Sequence, residues 1–470
     1  MRSPQSSLLL LILATAAAQP FANGRWIIPA LAWIAPMLLL RVVRSRARGL
    51  AIGWLLFTVG WVVQWWDIIN LPRAWFFLAA IGCGTAGFLP YCADRLIAKR
   101  LQGIASTLVF PAAQAATEWL LATLTPNGSW GSLAYTQSTD LPLLQLASVT
   151  GIYGVSFLIA WYAAIVNFAW EHRYWTPLSL RAIGSLVATM AVVLAFGGAR
   201  LLADRHEPRT LKVATIAPSQ PRAHDPSLAA EALDDLYSRT ARQAAAGAKL
   251  ILWPEDSFFI DKRDEAAILA RALQFAQQHQ IYLGLSYGAR IGPSTPNYEN
   301  KMVLVTPSGD VAWQYLKNHP VPGREASLVT RGEGGPAQYP GIDGRFAGGI
   351  CYDADFPALF HRAGRDDAEL LLVPADDWRA IDPIHARMTV LRGIEEGASV
   401  VRAATNGLSV ATDAYGRIIA TDDYFSGADH VMAATVPIAH VATIYSRVGD
   451  VFAWLCAIGL ALLAFRTSRR

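Results

Sequence analysis

The sequence predicts a helical membrane domain followed by an α/β domain in one chain. Of the 470 residues, 53% are hydrophobic and only 16% are charged, a composition too apolar for an ordinary soluble enzyme. As far as Gly198 the chain consists largely of apolar segments that approach the ~20 residues needed to span a bilayer. From Leu211 the pattern changes to short β-rich runs that alternate with amphipathic helices, which indicates a mixed α/β domain.

Eight apolar segments are candidates for membrane helices. The first is short and ends in an alanine-rich stretch, so it also resembles a cleavable signal peptide. We expect it to be retained, because a second apolar segment follows at once; its removal would leave the orientation of the chain unchanged. The segments are Leu8–Ala18, Trp26–Leu40, Gly49–Ile69, Ala74–Cys92, Ile104–Leu124, Gly151–Trp170, Leu178–Gly198 and Val451–Phe465.

Basic residues cluster in every second loop between the apolar segments, and no Lys, Arg or His occurs from Leu101 to Glu171. Such loops lie on the cytoplasmic side of a membrane, so seven crossings place residues 205–445 outside. Membrane topology therefore accounts for the net charge of +4, and we expect no nucleic-acid partner. The basic loops and the basic end are Arg41–Arg48, Arg95–Arg100, His172–Arg181 and Arg466–Arg470.

These features divide the chain into three parts: an N-terminal membrane domain at 1–204, an α/β domain outside the membrane at 205–445, and a C-terminal membrane helix with a basic tail at 446–470. In the α/β domain, alternating and short apolar runs predict strands at Leu211–Ala217, Lys249–Trp253, Ile281–Ser286, Lys301–Thr306, Val311–Lys317, Phe346–Ile350, Glu369–Val373, Ser399–Ala404 and Val431–Val436. The predicted helices are Asp225–Ala246, Asp264–Gln280 and Pro383–Glu396, and the predicted hairpin turns are Pro307–Asp310 and Ala414–Arg417.

Cys351 is the candidate nucleophile. The other three cysteines lie in apolar segments, so Cys351 has no disulfide partner in the α/β domain. A buried, inert thiol is the plain alternative. A cysteine with the ordinary pKa of ~8.5 is mostly protonated at neutral pH and needs a base and a cation nearby to react. Glu255 and Lys317 end two other strand-like runs, so we expect three strand ends that carry Glu, Lys and Cys to converge on one site.

The stretches around these residues resemble known motifs. Trp253-Pro-Glu255, Tyr315-Leu-Lys317 and Ile350-Cys351-Tyr352 resemble the Glu-Lys-Cys triad of the nitrilase superfamily. The stretch Lys317–Glu325 (Lys-Asn-His-Pro-Val-Pro-Gly-Arg-Glu) and the exit segment Thr443–Asp450 are similar to a membrane branch of that superfamily, the apolipoprotein N-acyltransferases. The resemblance covers nearly the whole chain, and the order and spacing of the motifs make it specific.

The resemblance implies a fold and a role for each site residue. The α/β domain is expected to be a four-layer α-β-β-α sandwich. Glu255 is expected to act as the general base, and Cys351 to carry the acyl group as a thioester. Lys317 is expected to lower the thiol pKa and to stabilise the oxyanion, with the backbone N–H of Tyr352 as a second donor. Glu325 either orients Lys317 and shares its proton transfers or is a solvated loop charge.

Several stretches depart from the family's motifs. The supporting residue Asp353 stands where the family has glutamate, and Ala375–Ala380 reads Ala-Asp-Asp-Trp-Arg-Ala where the family has Asn-Asp-Ala-Trp-Phe-Gly. Trp378 and Trp130 are expected to contact the substrate, although the loop around Trp130 is equally well explained as a plain connector. His385 has no partner at metal-ligand spacing, so we expect it to pack or to cap a helix. Residues expected to support the fold are Arg392, Glu395, Arg402, Asn406 and Gly407.

The function implied by the resemblance is N-acyl transfer in the bacterial inner membrane, with the catalytic domain on the periplasmic side. The acyl chain would pass from a phospholipid to Cys351 and then to the α-amine of a diacylglyceryl-cysteine lipoprotein. We expect a monomer without metal or organic cofactor. The alternatives are a membrane-bound amidase that uses the same triad with water, an acyltransferase with another amine acceptor, and a non-catalytic scaffold, against which the intact triad argues.

Overall fold

The chain folds into two compact units. The structure is a computed structural model that describes residues 4–45, 47–202, 209–218, 225–427 and 429–468. The helical unit comprises Met1–Thr125, Ser129–Asp204 and Val448–Arg470, and the α/β unit comprises Pro126–Gly128 and Arg205–Arg447. The predicted boundary between residues 204 and 205 lies outside the described residues.

Each of the eight predicted apolar segments contains a helix. Three helical stretches, Arg73–Arg100, Ile152–Glu171 and Pro177–Leu202, are long and apolar enough to cross a membrane, and shorter apolar stretches lie at Ser7–Phe21, Gly49–Gln64, Leu141–Thr150 and Val451–Thr467. Some of these stretches contain more than one of the helices defined next. The helices of this unit are α1 (Pro4–Ala18), α2 (Pro29–Ser45), α3 (Gly49–Gln64), α4 (Arg73–Gly87), α5 (Leu89–Ile97), α6 (Val109–Leu124), α7 (Leu141–Leu144), α8 (Ala147–Thr150), α9 (Ile152–Glu171), α10 (Pro177–Leu202) and, near the C-terminus, α17 (Val451–Ser468).

Some helix bounds differ from the predicted ones for local reasons. The predicted segment Ala74–Cys92 is interrupted at Phe88, because Pro90 lacks the N–H that a continuous helix needs and instead lies in the first turn of α5. The second segment was predicted to begin at Trp26, but Trp26 ends a short 3-10 turn, and α2 begins at Pro29. Hydrophobicity identifies an apolar segment but does not fix the ends of its helix.

The α/β unit contains two β-sheets. The first has seven strands in the order β13-β1-β2-β4-β5-β6, with β3 paired to β4; the second has six strands in the order β12-β11-β10-β9-β8-β7. The strands are β1 (Arg209–Ile216), β2 (Leu250–Leu252), β3 (Phe259–Asp261), β4 (Tyr282–Arg290), β5 (Tyr298–Val305), β6 (Val311–Leu316), β7 (Ala337–Gly341), β8 (Gly344–Gly348), β9 (Leu370–Asp376), β10 (Ser399–Thr405), β11 (Leu408–Thr412), β12 (Ile418–Asp423) and β13 (Val431–Ile438). The helices are α11 (Ala229–Ala245), α12 (Glu265–His279), α13 (Arg324–Leu328), α14 (Pro357–Arg365), α15 (Ile384–Glu396) and α16 (Tyr445–Val448).

The two sheets pack face to face, because alternate residues of their strands point into one shared core. Leu211 and Val213 of β1 belong to this core together with Leu370 and Leu372 of β9. The outer face of the first sheet is covered by α11 and α12, and that of the second sheet by α14 and α15. These layers are the α-β-β-α sandwich that the resemblance implied.

Every strand and helix predicted for the α/β domain is present, but several elements were not predicted. The unpredicted elements are β3, β7, β11, β12 and the helices α13, α14 and α16. β12 is largely exposed along its length and β7 is half-buried, so neither shows the continuous apolar run of a buried strand. Helix α14 follows Pro357 and mixes glycine and arginine with its apolar residues, which hides its period in the sequence.

Candidate active site

The three predicted catalytic residues follow the carboxyl ends of three strands. Glu255 lies shortly after β2, Lys317 directly after β6, and Cys351 shortly after β8. Strand β6 runs parallel to β2, because β4 pairs parallel with β2 while the β4–β5 and β5–β6 pairs are both antiparallel. The ends of β2 and β6 therefore open at one edge of the first sheet, and the end of β8 in the second sheet meets them there.

The side chains of Glu255, Lys317 and Cys351 are brought together in a buried cluster. Lys317 Nζ lies 2.7 Å from Glu255 Oε1, and Cys351 is close enough to the same carboxylate to influence its pKa. The backbone N–H of Asp376 donates to Glu255 Oε2 at 2.9 Å and fixes the orientation of that carboxylate. Glu255, Lys317 and Cys351 are only 3%, 1% and 2% exposed, so their charges interact with little screening by water.

Glu325 reaches the same ammonium. Its Oε1 lies 2.6 Å from Lys317 Nζ, and its Oε2 accepts a hydrogen bond from the backbone N–H of Val321 at 2.8 Å. A solvated loop charge would not make these contacts. Asn300, which the sequence analysis missed, donates through Nδ2 to Glu255 Oε1 at 2.7 Å and is 3.5 Å from Glu325 Oε1. It lies next to a predicted strand and carries no motif that would mark it.

The charges of the cluster shift the pKa values of the two carboxylates, Glu255 and Glu325, in opposite directions. Burial alone would raise the pKa of Glu255, but the charge of Lys317 and its hydrogen bond outweigh burial and hold that pKa below its ordinary value. For Glu325, burial and the charge of Glu255 outweigh Lys317 and raise the pKa. Burial would lower the pKa of Lys317, but the two carboxylates raise it well above the ordinary value. The cluster thus holds a permanent ammonium and an ionised base.

Cys351 is held as a neutral thiol next to that base. Burial raises its pKa well above the ordinary value, the Glu255 carboxylate adds to this, and Lys317 acts in the opposite direction. The residue has φ +50°, in the left-handed region, where a side chain costs ~1–3 kcal/mol of backbone strain. The turn Cys351–Asp355 imposes this strain and directs the sulfur at the cluster, where it lies 3.9 Å from the carbonyl oxygen of Asp376. Reaction of this thiol requires proton transfer to Glu255.

Asp353 and Tyr352 lie beside the cluster and contact neighbouring backbone. Asp353 is completely buried and accepts hydrogen bonds from the N–H groups of Ile350 and His319, at 3.0 and 2.8 Å, and from Tyr315 Oη at 2.9 Å. It therefore joins the segment that carries Cys351 to the segment that follows Lys317. The hydroxyl of Tyr352 donates to the carbonyl oxygen of Pro126 at 3.1 Å.

The two tryptophans predicted to contact substrate lie in different units. Trp378 is half-buried in the α/β unit, and its carbonyl accepts the N–H of Ile381 at 2.9 Å. Trp130 packs against Trp65 in the helical unit, with ring centroids 5.7 Å apart, and lines a cavity of about 60 Å³. The substrate contacts of both residues stay predictions.

His385 makes charged contacts that the sequence did not reveal. Its Nδ1 lies 2.7 Å from Asp377 Oδ1 and its Nε2 lies 3.2 Å from Asp355 Oδ2, while Arg402 donates to both oxygens of Asp377 at 2.7 and 2.9 Å. Ligand atoms of Cys351, Asp377 and His385 lie within 4.8 Å of one another, a set of atom types that can bind a metal. Both ring nitrogens face carboxylates and Asp377 is paired with Arg402, so these atoms already neutralise one another.

Comparisons with known proteins agree with this geometry. Residues 212–445 match the family model of carbon-nitrogen hydrolases, and residues 12–165 match that of the apolipoprotein N-acyltransferase N-terminal domain. The apolipoprotein N-acyltransferase of Geobacter metallireducens is 31% identical over 402 residues, which cover 78% of this chain and 75% of that protein. The enzyme of the same name from Azotobacter vinelandii is 29% identical, with 87% and 86% of the two chains covered.

Solved structures of similar fold include an amidase from Nesterenkonia sp.. It is 22% identical and covers 49% of this chain and 91% of its own, with a TM-score of 0.41. The long match to the Geobacter enzyme extends over both the membrane and the α/β regions of the sequence. This chain belongs to the apolipoprotein N-acyltransferase family.

Proposed function

We propose that this chain is a phospholipid–apolipoprotein N-acyltransferase of the bacterial inner membrane. Cys351 takes an acyl chain from a membrane phospholipid and passes it to the α-amine of a diacylglyceryl-cysteine lipoprotein. The observation that carries the proposal is the buried cluster of Cys351, Glu255 and Lys317, in which the Glu255 carboxylate lies 2.7 Å from Lys317 Nζ and interacts electrostatically with the thiol. The apolar helices favour substrates that are themselves in the bilayer.

The first half-reaction loads the cysteine. Glu255 accepts the thiol proton as Cys351 Sγ attacks the ester carbonyl carbon of the phospholipid, and Lys317 stabilises the oxyanion that forms. The intermediate collapses as the C–O bond breaks, and the leaving alkoxide takes the proton from Glu255. A lysophospholipid departs and the acyl chain remains as a thioester on Cys351.

The second half-reaction transfers the acyl chain to an amine. The neutral α-amine attacks the thioester carbonyl carbon, and Glu255 accepts the proton that the amine loses. The C–S bond breaks, an amide forms, and the Cys351 sulfur takes the proton back from Glu255. Donor and acceptor react in turn with one cysteine, so the kinetics are ping-pong.

A membrane-bound amidase is the second candidate, since residues 212–445 match the carbon-nitrogen hydrolase model and the same triad can use water as acceptor. A two-step assay separates the two functions. The enzyme is loaded with phospholipid, the donor is removed, and either a diacylglyceryl-cysteine peptide or buffer is added. We expect the peptide to discharge Cys351 much faster than buffer and to be recovered as the N-acylated product. Equal decay with and without peptide would assign the site to hydrolysis.

Trp378 gives this assay a residue-level test. It is a half-buried aromatic side chain next to Asp377, and we propose it as an apolar contact for the acceptor. We expect Trp378→Ala to slow discharge by the peptide more than it slows loading. Ile342→Ala is the matched control, since Ile342 is an apolar residue that is 90% exposed in the turn between β7 and β8, at the opposite end of β8 from Cys351. Equal slowing of both steps would remove Trp378 from the acceptor site.

A further inference from the structure

A buried group of charged side chains lies against Cys351 and takes no part in the transfer steps above. His385, near the start of α15, is 1% exposed and lies between Asp355 and Asp377, 3.2 and 2.7 Å from their carboxylate oxygens. A ring nitrogen of His385 and a carboxylate oxygen of Asp377 are both within 4.8 Å of Cys351 Sγ. The sulfur therefore borders two charged clusters, this one and the catalytic ion pair.

A protonated His385 would offset the negative charge of Asp355 and Asp377, between which it lies. Arg402 is fully buried and donates to both oxygens of Asp377. Arg402 Nη2 also lies 3.0 Å from His385 Nδ1 and opposes a charge on the ring. Burial would lower the pKa of His385 as well, but the charges of Asp355 and Asp377 outweigh both and raise that pKa to about 9.

Further groups define the surroundings of this cluster. Asp382, in the loop before α15, interacts electrostatically with Asp377 and Arg402. Its own pKa is raised to about 6 by burial and by nearby carboxylates, so it is ionised at neutral pH. Gly407 admits the Asp377 side chain, because a Cβ at that position would lie 2.2 Å from Asp377 Oδ2. Asp377 stands where the family's motif has alanine, so part of this cluster is a departure from that motif.

We propose that His385 is a positioning residue whose imidazolium cancels the charge of Asp355 and Asp377 next to Cys351, so that the thiol can lose its proton to Glu255. This proposal rests on the proposed function, in which the Cys351 thiol is the nucleophile, but its test measures only the reactivity of that thiol. A neutral side chain at 385 would leave a net negative charge near the sulfur and disfavour the thiolate. The reacting atoms and the acyl chain are not contacted by His385.

The test is the rate of Cys351 alkylation by iodoacetamide at pH 7 in the full-length protein, followed by peptide mass spectrometry to distinguish Cys351 from the other cysteines. An opposite charge within ~4–6 Å shifts a pKa by ~1–3 units. We therefore expect His385→Gln to slow alkylation by about tenfold at pH 7, where the imidazolium of the wild-type protein is charged.

Removal of a negative charge from the same group should have the opposite effect on alkylation. Asp355→Asn removes a negative charge and leaves the ring in place, so the alkylation rate at pH 7 should rise or stay, and the double variant His385→Gln/Asp355→Asn should return that rate toward the wild-type value. If the two residues served only the structure, both single variants would change the alkylation rate in the same direction, and the double variant would change it further. Asp355→Asn also keeps the test decisive if His385→Gln does not fold.

His440→Gln is the matched control. His440 is also a mostly buried histidine, with Nε2 3.3 Å from Asp367, but it contacts Ala368 at the opposite end of β9 from Asp376. The seven residues of that strand separate the two ends by roughly 20 Å. An unchanged alkylation rate at pH 7 in His385→Gln, or a slower rate in Asp355→Asn, would overturn the proposal. If alkylation changes as expected but the protein transfers no acyl chain, only the proposed function is refuted.

Discussion

Glu255 and Glu325 both bind Lys317, and their environments assign them different roles at the residue scale. Glu255 has a lowered pKa and remains ionised in mildly acidic solution, whereas the raised pKa of Glu325 favours a bound proton. A general base is active above its pKa, and its activity is lost as the pH falls below that pKa. We expect the acid limit of acylation to lie below the ordinary glutamate pKa of ~4.3.

Substitution should separate the same two residues. General bases contribute about 10²–10⁴-fold, so Glu255→Gln should lower the acylation rate by that factor and abolish the acid limb. Glu325→Gln imitates a protonated carboxyl group and should retain at least tenfold more activity than Glu255→Gln. Single-turnover loading of Cys351 across pH measures both rates. Equal losses in the two variants would contradict this division of roles.

Lys317 is expected to act on the transition state. Removal of one oxyanion donor costs about 10²–10³ in rate, so Lys317→Met should slow loading by about 10² or more. Lys301→Met is the matched control, since Lys301 is also a mostly buried lysine, paired to Glu265 at 2.6 Å, on neighbouring strand β5. The Lys301→Met variant should be less stable than the wild-type protein but should load Cys351 at a similar rate per folded molecule. Near-normal loading in Lys317→Met would remove Lys317 from the site.

The residues that the sequence predicted and those that it missed differ in how they are recognised. Glu255, Lys317 and Cys351 each end an apolar run, so their position follows from local pattern and motif. Asn300 and Asp377 meet their partners only after the strands have paired. Asn300 lies next to Glu255 in this way, and the β9–β10 register places Thr405 opposite Asp376, the residue before Asp377. No one-dimensional spacing encodes such contacts, which is why His385 was expected only to pack or to cap a helix.

At the scale of elements, the turn Cys351–Asp355 depends on Asp353. Asparagine there would keep the size but turn an amide N–H group toward backbone donors, which typically costs about 1–3 kcal/mol when buried. We expect Asp353→Asn to lower Tm by several degrees and also to slow loading per folded molecule, because the turn orients Cys351. Thermal unfolding and single-turnover loading measure the two effects.

Asp413→Asn is the control for that prediction. Asp413 likewise accepts N–H groups, from Tyr415 and Arg417 at 2.9 Å each, in the hairpin turn between β11 and β12. Its substitution should lower Tm but leave loading per folded molecule unchanged. If Asp353→Asn behaves in the same way, Asp353 serves stability alone and does not position the cysteine.

For the whole molecule, the prediction is that residues 205–445 lie on the periplasmic side of the membrane, with Arg44 and Arg470 on the cytoplasmic side. Ion pairs support one common end for the basic loops: Arg44 at the end of α2 binds Asp94 of α5 at 2.7 Å and Glu171 at the end of α9 at 3.5 Å. Reporter fusions at Ser219 and at the C-terminal Arg470, both outside the described residues, measure the orientation. A cytoplasmic reporter active at Ser219 would contradict it.

The central claim is that Cys351 carries an acyl chain taken from a phospholipid. The most direct measurement is mass spectrometry of the purified protein after incubation with a phospholipid of known acyl chains, followed by peptide mapping. The account predicts a mass increase of one acyl group, located on the Cys351 peptide, lost on treatment with hydroxylamine and absent in Cys351→Ala. A protein that forms no adduct, or forms it equally in Cys351→Ala, would contradict the account.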